Sequence, residues 1–138
     1  MKADTPSERR TTLLLVEDEE QIRKLVRLIL APLNGLDVYE AGTGASGLKL
    51  AQSLDRQIDI LLTDMLLPEL SGYDLALAMR ELFPALRIIM VTGYVEGEIV
   101  QRGIAELGAA FLDKPFQAAE LRQLVSDAMV RPLTTSLS

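Results

Sequence analysis

Leu13-Leu14-Leu15-Val16-Glu17-Asp18, Ile58-Asp59-Ile60-Leu61-Leu62-Thr63-Asp64 and Arg87-Ile88-Ile89-Met90-Val91-Thr92 decide the fold of this 138-residue chain. Each is a nearly continuous apolar run closed by an acid or a hydroxyl. A strand covered on both faces needs such a run, so these three read as central strands of a parallel sheet. The strand-like runs number five: Thr12–Val16, Leu36–Ala41, Ile58–Thr63, Leu86–Thr92 and Ala109–Leu112. They close near residues 17, 41, 64, 92 and 113, so successive ends lie 21 to 28 residues apart, about one βα unit each time. The second run, LDVYEA, carries two acids and reads as an edge strand.

Helix-period segments fill the intervals. Ile22, Leu25, Val26, Ile29 and Leu30 repeat at helical spacing before Pro32, and Leu121, Leu124, Val125, Ala128 and Met129 do so before Pro132. Leu75, Ala78, Met79 and Leu82 precede Pro84, and Leu48, Ala51 and Leu54 follow Gly47. A fourth helix, roughly 95–107, is the weak one. Gly97 and Gly103 fall inside it, each costing about 1 kcal/mol relative to alanine. Residues 1–10 and 132–138 are polar and aperiodic and read as tails around one domain, 11–131. The class is α/β, an open doubly wound five-stranded parallel sheet. Ligands of such sheets collect at the carboxyl ends of the strands.

Composition narrows the chemistry. There is no cysteine and no histidine, which excludes disulfides, thiolate or imidazole metal sites, thiol catalysis and the Ser-His-Asp triad. Fourteen Lys and Arg against 20 Asp and Glu leave a net charge of −6, which argues against nucleic acid as a direct partner. No apolar run approaches the ~20 residues of a membrane span, and the polar N-terminus is unlike a signal peptide, so a cytoplasmic location is expected.

The strand ends carry Glu17 and Asp18, then Asp64, then Thr92, then Asp113, Lys114 and Pro115. If the first and third strands are neighbours, Glu17, Asp18 and Asp64 converge. Three carboxylates in one crevice repel one another unless a cation joins them, and an all-oxygen donor set suits Mg²⁺. A carboxylate nucleophile, a hard metal ion, a lysine and a hydroxyl make a phosphoryl-transfer constellation. Each residue alone has an ordinary explanation as a cap, a turn or a surface charge. Their joint placement at one sheet edge does not.

The stretches LLLVEDE (13–19), LLTDMLLPELSGYDL (61–75), IIMVTGY (88–94) and GAAFLDKPF (108–116) resemble the receiver domain of two-component response regulators. The resemblance implies a flavodoxin-like (βα)5 fold with strand order 2-1-3-4-5. It implies a phosphoacceptor signalling domain rather than a conventional enzyme, with a histidine kinase or phosphotransfer protein as partner. Asp64 would be the phosphoacceptor and Asp18 a direct Mg²⁺ ligand. Glu17 would hold the metal less directly, and the carbonyl of Leu66 would be a backbone ligand. Thr92 and Lys114 would contact the phosphoryl oxygens, Lys114-Pro115 would be cis, and Phe111 would stand at the aromatic switch position. The face built from the fourth helix, fifth strand and fifth helix would change on phosphorylation. Leu66 and Tyr94, flanking the site, offer no base at neutral pH, which implies slow self-hydrolysis. The first acid is Glu rather than the commoner Asp, and Phe111 lacks the hydroxyl of the more frequent Tyr. No effector domain is legible, so the resemblance is to a single-domain regulator or to the receiver of a hybrid sensor kinase.

Two competing readings stand beside it. Gly42-Thr43-Gly44-Ala45-Ser46-Gly47 is a literal G-x-G-x-x-G after a strand, the dinucleotide fingerprint. It follows the most polar strand, however, and leaves Glu17, Asp18 and Lys114 without a role. A degenerate receiver acting only as a protein-interaction module would require loss of Asp64, Asp18, Thr92 or Lys114, and all four are present.

Overall fold

A computed structural model describes residues 10–93 and 97–130. The elements alternate strictly: β1 (Thr11–Val16), α1 (Glu20–Leu30), β2 (Leu36–Ala41), α2 (Gly44–Ser53), β3 (Ile60–Asp64), α3 (Gly72–Leu82), β4 (Arg87–Thr92), α4 (Glu98–Leu107), β5 (Ala110–Asp113) and α5 (Ala118–Met129). All four strand pairings are parallel, in the order β2-β1-β3-β4-β5. The doubly wound sheet expected from the five repeats is the fold observed, with LDVYEA at one edge. Apart from Arg10, the expected tails lie outside the described residues, as does Tyr94. No helix among the described residues is long and apolar enough to cross a membrane.

Strand alternation sorts the core into two layers. Leu14, Val16, Leu61 and Met90 face one way, with Leu75 and Met79 of α3 over them. Leu13, Leu15, Ile60 and Leu62 face the other way, beneath Val26 and Leu30 of α1 and Leu121 and Val125 of α5. Each such Leu or Ile, fully enclosed, stabilises the fold by roughly 1.5–3 kcal/mol relative to exposure. Leu25 and Leu82 do not join these layers. They remain 47% and 44% exposed at the margins of their helices.

Two boundaries depart from the sequence reading for identifiable reasons. The third strand begins at Ile60 rather than Ile58 because the Asp59 carboxylate accepts the Thr12 amide, at 2.8 Å, in place of a ladder carbonyl. The fourth helix begins at Glu98, so Gly97 is its N-cap and only Gly103 lies within it. Val95 lies outside the described residues. Gly103 is there for space. A Cβ on it would come within 3.0 Å of the Phe111 ring, so the residue that weakens the helix also lets it pack on β5.

The glycine fingerprint receives a packing explanation as well. A Cβ on Gly44 would meet the Leu70 carbonyl at 2.7 Å, and one on Gly47 would meet Val16 at 2.9 Å. Thr43 caps α2, its hydroxyl accepting from the Ser46 amide. These glycines follow the edge strand β2 and let α2 pack closely on the Leu70 loop and on Val16 of β1, so close packing accounts for them.

Candidate functional site

Pairing of β1 with β3 sets Val16 opposite Thr63, and pairing of β3 with β4 sets Asp64 opposite Val91. Glu17 and Asp18 therefore leave β1 beside Asp64, the last residue of β3. One oxygen from each of the three carboxylates lies within 4.8 Å of the others. Glu17 and Asp64 are buried and Asp18 is exposed. The Asp64 carboxylate is held at both oxygens: Oδ2 accepts from Lys114 Nζ at 2.6 Å, and Oδ1 accepts from the Leu66 amide at 3.1 Å. Thr92 ends β4 opposite Asp113 and is buried, and its carbonyl accepts from the Lys114 amide at 2.9 Å. The Lys114–Pro115 peptide is cis. Phe111 of β5 is half-buried, packed against Gly103 of α4. Leu66, two residues after Asp64 in the loop, is 69% exposed.

The electrostatics follow from this crowding. Burial pushes the Glu17 carboxyl from its ordinary value up to about 7. A hydrogen bond from the Glu19 amide opposes the rise, the Asp18 and Asp64 carboxylates reinforce it, and Lys114 opposes it from a distance. Burial also works to lower the Lys114 pKa, but the hydrogen bond and charge of Asp64, with Glu17 and Glu19 behind them, raise it overall. Three carboxylates thus share one ammonium, and a buried acid responds by holding a proton near neutrality. The main cause of that rise is burial, with the neighbouring carboxylates adding to it, and a cation beside them would offset it. With oxygen as its only donor type, the cluster fits a hard divalent cation.

A pH dependence follows for the metal-free protein. The folded pKa of Glu17, about 7, exceeds the unfolded value near ~4.3. Between those values the folded state keeps a proton that the unfolded state releases, so this group favours folding below pH ~4.3 and that benefit is lost as pH rises through 7. In EDTA at pH 8, Glu17→Gln is expected to melt several degrees above the parent protein, roughly, with the gap closing by about pH 5. Thermal melts across that range check it. Parallel curves at every pH would show that burial places no charge penalty on Glu17.

Two residues that sequence reasoning left without a role also shape the site. Arg23 of α1 donates from Nη1 to the Glu17 carbonyl at 2.6 Å and pairs with Glu40 at 3.4 Å, tying the acidic loop to β2. Gly72, at the start of α3, abuts the phosphoacceptor candidate itself. A Cβ there would stand 2.3 Å from the Asp64 carbonyl oxygen. The signal for Gly72 was the glycine eight residues after Asp64. Arg23 has no comparable signal, because a surface arginine on a helix is ordinary.

Comparison with known proteins places this geometry. The family model of the response regulator receiver domain matches residues 13–126. The sensor kinase CckA of Brucella abortus is 33% identical over 119 residues, covering 86% of this chain and 12% of CckA. The luminescence regulatory protein LuxO of Vibrio campbellii is 32% identical over 116 residues, covering 83% of this chain and 25% of LuxO. The chain therefore spans only a small part of the length of these relatives. The crystal structure of the signal receiver domain of an HD domain-containing protein from Pseudomonas fluorescens superposes with a TM-score of 0.78 at 26% identity, covering 87% of this chain and 94% of that one. With Glu17, Asp18 and Asp64 gathered at the ends of β1 and β3 and Lys114 paired to Asp64, this chain belongs to the response regulator receiver domains of two-component systems.

Proposed function

We propose that this domain, spanning residues 11–131, accepts a phosphoryl group on Asp64 from a phosphohistidine of a kinase or phosphotransfer protein. The observation that carries the reading is the buried Asp64 carboxylate, paired with Lys114 at 2.6 Å inside a cluster with Glu17 and Asp18. A carboxylate oxygen of Asp64 attacks phosphorus in line. The P–N bond breaks, its electrons return to the imidazole, and an acyl phosphate forms. Lys114 is the fixed cation beside the transferring group, and the Thr92 hydroxyl donates to a phosphoryl oxygen. Glu17, Asp18, Asp64 and the Leu66 carbonyl would hold Mg²⁺, a member of this family's usual equipment. When bound, the ion neutralises charge on the phosphoryl oxygens and the carboxylates. Phosphorylation then shifts Thr92 and Phe111, and with them the face formed by α4, β5 and α5. The working location is the cytoplasm.

The donor approaches over α1. A groove of about 360 Å³ lies there, lined by Glu19, Ile22, Leu25, Lys114, Pro115 and Phe116, so the lysine that pairs with Asp64 also borders the docking surface. An apolar floor with a charged rim suits the helix that carries a phosphohistidine.

Incubation with acetyl phosphate and Mg²⁺ followed by intact mass measurement tests the reaction. A single adduct of about 80 Da is expected. Transfer that survives EDTA would remove the metal from the scheme. The lifetime of the adduct tests the surroundings. Leu66 presents no hydrogen bond to an attacking water, so hydrolysis is slow, and Leu66→Asn with Tyr94→Glu is expected to shorten the lifetime several-fold. A double variant that keeps its adduct as long as the parent would show that water access at these positions does not set the rate.

A further inference from the structure

Asp64 and α4 are joined by a second route that does not pass through Thr92 or Phe111. Met65 donates its amide to the Val91 carbonyl at 2.9 Å, and its own carbonyl accepts the Gly72 amide at 2.9 Å. Gly72 lies against the Asp64 carbonyl so closely that no side chain fits between them. The first turn of α3 is therefore seated on the backbone of Asp64 and Met65 and cannot shift independently of them. The next residue, Tyr73, reaches α4. Its hydroxyl hydrogen-bonds the Glu106 carboxylate, and the Arg102 guanidinium sits over its ring, 5.7 Å from the centroid. Glu106 and Arg102 are one helical turn apart, so a single aromatic side chain grips α4 at two points. α4 also rests on Phe111 through the space left by Gly103.

We propose that Tyr73 is a positioning residue of the phosphorylation switch: a latch that holds α4 in register with the Asp64 loop and that phosphorylation works against. The proposal rests on Asp64 being the phosphoacceptor. Both oxygens of its carboxylate are engaged, Oδ1 by the Leu66 amide and Oδ2 by Lys114. Phosphorylation of either oxygen, which makes it the bridge of an acyl phosphate, displaces one of those contacts. Displacing the Leu66 contact moves the loop that runs straight into Gly72 and Tyr73. Movement of α4 toward a new position then has to break the Tyr73–Glu106 hydrogen bond and slide Arg102 off the ring. The latch thus favours the conformation described here and opposes the switched one, and by linkage its removal favours whatever binds the switched state.

Tyr73→Phe tests this, since it deletes the hydroxyl and keeps the ring against Arg102. Two measurements on the full chain decide it: amide hydrogen exchange across residues 98–107, and the affinity for beryllofluoride with Mg²⁺, an analogue of the aspartyl phosphate. Exchange in α4 is expected to quicken about threefold, the scale of one exposed hydrogen bond, with β1 and β3 unchanged. Beryllofluoride affinity is expected to rise by the same factor. Glu106→Gln keeps an acceptor oxygen and should show a smaller change in both. A merely structural tyrosine would leave the affinity unchanged or weaken it, and either outcome overturns the latch. So does unaltered exchange in α4. If the parent protein bound no beryllofluoride, the phosphoacceptor reading would fail instead, and the exchange measurement would still decide whether Tyr73 holds α4.

Discussion

Replacing Asp64 with alanine is expected to abolish the acetyl phosphate adduct, lowering the rate by at least about a thousandfold, because the nucleophilic oxygen is gone and no neighbour replaces it. Glu17, also in the cluster, is buried and in this scheme helps to hold the metal, so its oxygens are engaged rather than free to attack. Asp18 is exposed and belongs to the metal-binding group in this scheme, which leaves its oxygens engaged when phosphodonor is present. Lys114 keeps its place through the backbone bond to Thr92 and needs no ion pair to stay there. The variant is expected to fold, since losing the Asp64 charge relieves repulsion on Glu17 while losing the pairing with Lys114. Intact mass after donor treatment, with a melting curve on the same sample, checks both statements. An adduct on the folded variant would move the reaction to another residue.

The fold was legible because its dominant signal is long-range and redundant. Five apolar runs at even spacing leave few arrangements for a chain of this size, and the register of β1, β3 and β4 then brings the acids together without further information. The boundaries were less legible, because they are set by single hydrogen bonds. Asp59 accepting from Thr12 shortens β3, and no periodicity reveals a side chain standing in for a ladder carbonyl. Gly97 and Gly103 look alike in sequence but act differently. One begins the helix and the other gives room to a ring from a strand that arrives later in the chain. At the site, the residue types carried the chemistry, and Glu17, Asp18, Asp64, Thr92 and Lys114 all sit at strand ends as read. Arg23 was not legible as part of the site, nor Tyr73 as a contact with α4, because their meaning comes from contacts with Glu17 and with Glu106 that only the folded chain creates.

Gly72→Ala is expected to lower stability by roughly 2–3 kcal/mol and the melting temperature by about 10 °C, against the usual direction of such a change. Alanine in a helix is ordinarily better than glycine by about 1 kcal/mol, because glycine loses more backbone freedom on folding. Gly72 begins α3 just after the Ser71 cap, whose side chain accepts the Asp74 amide at 3.1 Å, so propensity alone favours the substitution. Space decides the opposite sign. The added Cβ would stand 2.3 Å from the Asp64 carbonyl oxygen, 2.9 Å from Met65 Cα and 3.1 Å from the Asp64 carbonyl carbon. These are backbone atoms at the end of β3 and of buried Met65 just after it, so no rotamer change relieves the overlap. Either α3 lifts from the sheet, opening the contacts of Leu75 and Met79 with the core, or the end of β3 moves and takes the Asp64 carboxylate away from Lys114. Both cost stability, and the second also slows phosphorylation. Melting curves with acetyl phosphate kinetics on Gly72→Ala and Gly72→Ser separate the two routes. A lower melting temperature with an unchanged rate means that the helix moves, and a rate that falls with it means that Asp64 does. An alanine variant as stable as the parent would show that the strand end yields without cost, and that glycine is not required there for space.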